Sequence, residues 1–165
     1  MLGYVIHDDT DGSERMQALS RLLAARGLRL GGAVQVNSGG GDCTCDMQLS
    51  VLGADAAPIR ISQALGPGSQ GCRLDPDALE RAVGLGLSAL AGADLVLVNK
   101  FGKQESLGRG FRELIAESLG QGIPVLTAVA PDYLPAFLDF TGGEATLLDW
   151  DTAADWCLRP RNAAA

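Results

Sequence analysis

Apolar positions in this chain fall into short unbroken runs bounded by turns, and between the runs lie longer stretches with a helical repeat. Tyr4, Val5 and Ile6 form the first run, a buried strand. Residues 14–26 then place apolar side chains on one stripe of a helix that Gly27 closes. Residues 28–36 read as a second strand and 37–42 as a glycine-rich turn. Residues 47–52 and 59–65 switch to a period of two around a turn at 53–58, which predicts an antiparallel pair. Asp75 or Asp77 is placed to cap a helix with Pro76 in its first turn, running to residue 90 across Gly84 and Gly86. Residues 95–98 are a fully apolar strand, 110–119 a helix, 123–129 a strand and 131–140 a short final helix. The tail from Asp151 is weakly specified, and 163–165 read as frayed.

Strands alternating with helices predict an α/β fold: three layers, a mainly parallel sheet covered by helices, with P-loop-NTPase-like topology and the hairpin as an insertion. With 165 residues, no internal repeat and no linker, the chain reads as one domain with a sizeable core.

The P-loop expectation comes from the first turn. His7-Asp8-Asp9-Thr10-Asp11-Gly12-Ser13 joins a strand to a helix, the layout that cradles a nucleotide phosphate. The full motif needs several glycines for close backbone approach and a lysine for the terminal phosphates. Here the turn carries three aspartates and no lysine, so a triphosphate would be repelled unless a metal ion intervened. The layout points to a nucleotide-binding ancestry and the residues point away from ordinary ATP hydrolysis. A magnesium-dependent phosphohydrolase, with Asp8, Asp9 or Asp11 holding the ion, is the enzymatic alternative. Ser13, at the start of the helix, is a candidate ligand contact.

Two further clusters suit an anion. Residues 66–73 combine Gly68, Ser69, Gly71 and Arg73 just before a helix, and successive backbone N–H groups freed by glycine can converge on a tetrahedral oxyanion. Arg60 and Ser62 on the hairpin lie close in sequence to this nest. Asn99, Lys100, Lys103, Arg109 and Arg112 follow the most apolar strand, at the end where open α/β sheets bind ligands. The plain readings are a connector that needs glycine to turn and a solvated basic loop. Asn-Lys after a strand is also how GTP-binding proteins begin their guanine motif, but that motif has an aspartate where this chain has Gly102.

Charge and cysteine narrow the partners. A formal net charge of −7 argues against broad binding to nucleic acid or anionic membrane, so any anion site must be local. There is no long uninterrupted apolar window and no secretion-signal pattern, which makes the cytoplasm the expected location and no membrane insertion the expected topology. The four cysteines, Cys43, Cys45, Cys72 and Cys157, are then expected as thiols. Cys43 and Cys45 are spaced to chelate a soft metal, with Cys72 completing the set, although buried thiols also pack as small apolar residues. His7 reads as a ligand, a base or a locally hydrogen-bonded strand end. Trp150 and Trp156 read as an anchor for the C-terminus or as a contact surface.

Four segments carry a family resemblance: Cys-Asp-Met at 45–47, Arg-Ile-Ser-Gln at 60–63, Gly-Pro-Gly-Ser-Gln-Gly-Cys-Arg-Leu-Asp at 66–75 and Asn-Lys-Phe-Gly-Lys-Gln-Glu at 99–105. Together they resemble an uncharacterised bacterial family whose members are often encoded beside, or fused to, molybdate ABC-transporter components, and which in layout is similar to the P-loop nucleoside triphosphatases. The resemblance covers about residues 2–140. It implies a non-catalytic protein that handles molybdenum by binding molybdate, tungstate or a molybdenum-cofactor phosphate. The implied partners are that oxyanion, a molybdate transporter or molybdoenzyme that the chain serves as an adaptor, and a second copy of the chain as a homo-oligomer. The nest and the basic loop are expected to face one another across one pocket.

Overall fold

The structure is a computed structural model that describes residues 1–7, 10–37, 47–63 and 73–159. Among these, one sheet has the strand order β4-β3-β2-β7-β8-β1-β9, built from β1 (Leu2–Ile6), β2 (Leu30–Asn37), β3 (Met47–Val51), β4 (Ile59–Arg60), β7 (Leu95–Phe101), β8 (Val125–Val129) and β9 (Thr146–Leu147). The run from β2 to β9 is parallel throughout, whereas β3 and β4 add to its edge antiparallel. This is the expected mainly parallel sheet with an inserted hairpin.

The unbroken apolar runs are explained by burial on both faces. Leu95 and Leu97 of β7 and Leu126 and Ala128 of β8 pack on one side against Met16, Leu19 and Leu23 of α1 (Gly12–Ala25) and Trp156 of α6 (Trp150–Leu158). Val96 and Val98, one residue out of phase, pack on the other side with Ala82 and Val83 of α2 (Pro76–Ser88), Leu114 and Ile115 of α4 (Arg112–Gly120) and Phe137 of α5 (Leu134–Thr141). Three layers result. Each fully buried Leu or Val in this double core contributes about 1.5–3 kcal/mol relative to exposure, so the central strands dominate the folding energy.

Several local expectations changed. Residues 59–65 do not form one strand: β4 pairs with β3, and then β5 (Ser62–Gln63) leaves to pair with β6 (Arg73–Leu74) in a small separate sheet. Ile61 lies between the two pairings and donates to Met47 O at 2.8 Å, a turning point that strand alternation alone cannot reveal. The helix placed at 110–119 is preceded by a short one, α3 (Lys103–Ser106). Residues 150–158 form α6, with Trp156 only 6% exposed and Trp150 Nε1 donating to Ile6 O at 3.3 Å. The two tryptophans thus anchor the C-terminal helix to the sheet, as their packing reading expected. Among the described residues no helix is long and apolar enough to cross a membrane.

Candidate ligand-binding cleft

The chain leaves β1 toward the α1 face and leaves β8 toward the α5 face, so the sheet's switch point lies between these adjacent strands. The loop before α1 sits there. Overlaying the phosphate-loop pattern on Gly12 puts His7 at its first glycine, Ser13 at its lysine and Glu14 at its hydroxyl position. His7 is 6% exposed, and its ring lies so close to Gly12 that a Cβ there would come within 2.9 Å of it. The Asp11 carboxylate pairs with Arg15 at 2.7 Å. Asp8 and Asp9 lie outside the described residues.

A cleft of about 290 Å³ lies at the carboxyl ends of β2 and β7. It exists because these strands part. Their parallel ladder ends at Ala33 opposite Val98, although both strands continue. Beyond that point the Asn99 side chain replaces the ladder: its Oδ1 accepts from Gln35 N at 2.9 Å and its Nδ2 donates to Ser13 Oγ at 3.2 Å. Asn99 is 4% exposed and both ends of its amide are used, so it is a brace between β2, β7 and α1. Toward β8 the register changes from Val98–Thr127 to Phe101–Val129, placing one extra residue in β7 at the Asn99-Lys100 step. Such a bulge re-aims side chains beside a site.

Lys100 and Lys103 both line this cleft, with Gln35, Gln104 and Glu105 as further polar groups and apolar walls that include Leu49, Ile61, Leu74 and Phe111. Glu105 organises the floor. Its Oε2 accepts from Gly102 N and its Oε1 from Phe111 N, each at 3.0 Å, which draws both ends of the loop around α3 together. Glu80 of α2 takes the neighbouring Gly110 N–H at 2.7 Å. Gly110 has φ of +60°, and a Cβ there would overlap Glu105 Oε1, so only glycine fits. The sequence signal for this arrangement was Gly102 followed three residues later by Glu105, the spacing of a helix-start capping box.

Burial pushes the Glu105 carboxyl above its ordinary value of 4.5, against the pull of its backbone hydrogen bonds, and Glu80 pushes in the same direction. The folded protein therefore holds this proton more tightly than the unfolded chain. Its stabilising contribution is complete below 4.5 and is lost as pH rises through the raised folded value. In urea unfolding at a series of pH values, the stability advantage of wild type over Glu105→Gln should fall as pH climbs through that window. An advantage that grows with pH would mean the two N–H bonds outweigh burial.

The structure separates the other sequence candidates. Arg112 lies over the Phe140 ring at 4.5 Å, Arg109 is exposed, and neither lines the cleft. The backbone amides of Gly110 and Phe111, at the approach to α4, are already taken by Glu80 and Glu105. Of the four cations in the basic loop, only Lys100 and Lys103 are brought together. Ser13 is tied to Asn99 outside the cleft lining. Arg60 is exposed and its Nε lies 3.4 Å from Ser62 Oγ, which also accepts from Met47 N at 3.2 Å; Ile61 between them faces the cleft instead. The backbone of Arg73 pairs with Gln63, and the next residue, Leu74, lines the cleft with Lys100 and Lys103. Gly68, Ser69, Gly71, Cys43, Cys45 and Cys72 lie outside the described residues. Among those described, no cluster of three or more His, Cys, Asp or Glu side chains could hold a metal ion. Sequence reasoning missed Gln35, Gln104 and Glu105, all uncommitted polar residues until the strands part around them.

Comparison with known proteins places these features in context. The fold is similar to the solution structure of a human cancer-related nucleoside triphosphatase, with a TM-score of 0.57 at 16% identity over 94% of this chain and 92% of that one. The sequence is 43% identical over 128 residues to the molybdenum import ATP-binding protein ModC 2 of Bradyrhizobium diazoefficiens. That match spans 76% of this chain but 14% of the relative's length. A family model described as "Protein of unknown function (DUF2478)" matches residues 2–156, and with nearly its whole length covered the chain belongs to that family.

Proposed function

We propose that this protein binds an anion in the cleft beside β7 and serves molybdenum handling in the cytoplasm without catalysis, its ligand being molybdate, tungstate or a molybdenum-cofactor phosphate. The observation that carries this reading is the convergence of Lys100 and Lys103 on one cleft in a chain whose net charge is −7. Lys100 is half-buried beside apolar walls, so an anion that reaches it gains more than it would on an open surface, and exposed Lys103 adds a second, screened charge. The molybdenum context rests on the matched stretch of the import ATP-binding protein. Because this chain spans so little of that relative, a role as an adaptor beside a transporter is compatible with the same cleft.

A degenerate phosphate loop supports the non-catalytic part. Catalysis of phosphoryl transfer depends on charge stabilisation by the loop lysine and by metal ions. Here serine stands at the lysine position with its hydroxyl tied to Asn99, and Asp11 is paired with Arg15. Calorimetric titration with sodium molybdate and with inorganic phosphate should show saturable binding of at least one, while phosphate release from Mg-ATP stays below about 1 per second, the low end of ordinary turnover. Failure of both anions and of a pterin phosphate to bind would defeat the anion reading. Turnover above that rate would restore the phosphohydrolase alternative.

A further inference from the structure

The cleft contains a group that molybdate and tungstate cannot satisfy. Gln104 Oε1 is buried with no hydrogen-bond partner, and Gln104 lines the cleft. Buried acceptors are almost always matched, and an unmatched one at a cavity wall marks where a ligand donor belongs. Molybdate and tungstate carry only acceptor oxygens at neutral pH, so each would meet this carbonyl oxygen with repulsion, and inorganic phosphate brings a P–OH donor but no ring to cover the apolar walls.

Size and lining point the same way. At about 290 Å³ the cleft is close to the lower end of small-molecule sites, which run from roughly 300 to 1,000 Å³. Its apolar lining, which includes Leu49, Ile61, Leu79 and Phe111, offers a ring the gain of leaving water, a gain that a tetrahedral dianion cannot take. The cationic groups, Lys100 and Lys103, satisfy a charged substituent rather than a ring.

We infer that the cleft takes a phosphorylated nitrogen heterocycle, with its phosphate toward Lys100 and Lys103 and a ring or exocyclic N–H donated to Gln104 Oε1. This rests on the anion-binding reading above and selects the organic member of its ligand class. Purine nucleotides and pterin phosphates share the required chemistry: a flat ring, an N–H edge and a phosphate.

The test is calorimetry on the whole protein with GMP, AMP, a pterin monophosphate, inorganic phosphate and sodium molybdate. At least one ring phosphate should bind ten times or more tighter than inorganic phosphate, and the ranking of GMP, AMP and the pterin identifies which ring is read. Gln104→Leu should weaken that ring phosphate by about tenfold, while thermal unfolding shows the variant at least as stable as wild type, since the substitution removes an unmatched buried acceptor. Inorganic anions binding as tightly as every ring phosphate would overturn this inference and leave the anion reading standing. Undiminished affinity in Gln104→Leu would overturn it too, and silence from all five probes would overturn both readings.

Discussion

Gly32→Ala should cost this protein about 2–5 kcal/mol, a large share of the 5–15 kcal/mol that holds a typical domain folded. Gly32 lies inside β2 with φ of +93°, and a Cβ there would run into the carbonyl oxygen of Leu97 on the adjacent strand β7. Two penalties combine. An L-residue in left-handed backbone loses about 1–2 kcal/mol, and forcing an atom into packed surroundings adds about 1–3 kcal/mol. The clash is with backbone at the centre of the sheet, so no flexible side chain can give way. Reduced freedom of the unfolded chain returns at most about 1 kcal/mol. For a chain of this size the melting temperature should drop by roughly 4–20 °C. Gly84→Ala provides the opposite sign: this glycine is exposed in α2 with open space around it, and alanine there should stabilise by about 0.5–1 kcal/mol. A Gly32→Ala loss below about 1 kcal/mol would mean that β2 can shift away from β7 at little cost.

The same crowded contact shows why the fold was more legible than the site. Unbroken runs such as 95–98 announce a strand buried on both faces, and the amphipathic stripe of 14–26 announces a helix covering one of them. Those signals are local and repeat along the chain. The cleft depends instead on where β2 and β7 stop pairing, which is decided by one extra residue in β7 and by the amide of Asn99 standing in for backbone. Neither has a period. Asn99 read as a ligand contact because it sits at a strand's carboxyl end; it does line the cleft, and its amide also braces three elements, a role the sequence did not show. Lys100 and Arg112 looked equivalent in the sequence, yet one lines the cleft and the other stacks on Phe140. The tail from 151 read as weakly specified, yet it forms α6, because that helix is held by tertiary packing of Trp156 and Ala153 on the α1 face rather than by its own propensity.

Removing Lys100 and Lys103 together should abolish measurable anion binding at micromolar protein concentration. A hydrogen bond to a charged group contributes about 1.5–3 kcal/mol, so each single alanine variant should weaken binding by roughly 10- to 150-fold. Lys103 is exposed and belongs at the lower end, because water and salt screen it; Lys100 is half-buried and belongs nearer the upper end. Arg109→Ala and Arg112→Ala decide whether this is a local effect. All four substitutions subtract one positive charge from a chain already at −7, so a response to overall charge would weaken binding alike in each. If the cleft is the site, the two arginine variants should stay within about twofold of wild type, and Arg112→Ala should show only the roughly 0.5–2 kcal/mol loss of stability expected from a half-buried cation over an aromatic ring. Raising the salt concentration should erode the contribution of Lys103 before that of Lys100, since charges in open solvent are screened beyond about 10 Å at 0.1 M ionic strength whereas half-buried ones are screened less. Equal losses in all four variants would move the anion out of the cleft and onto the general surface of the basic loop.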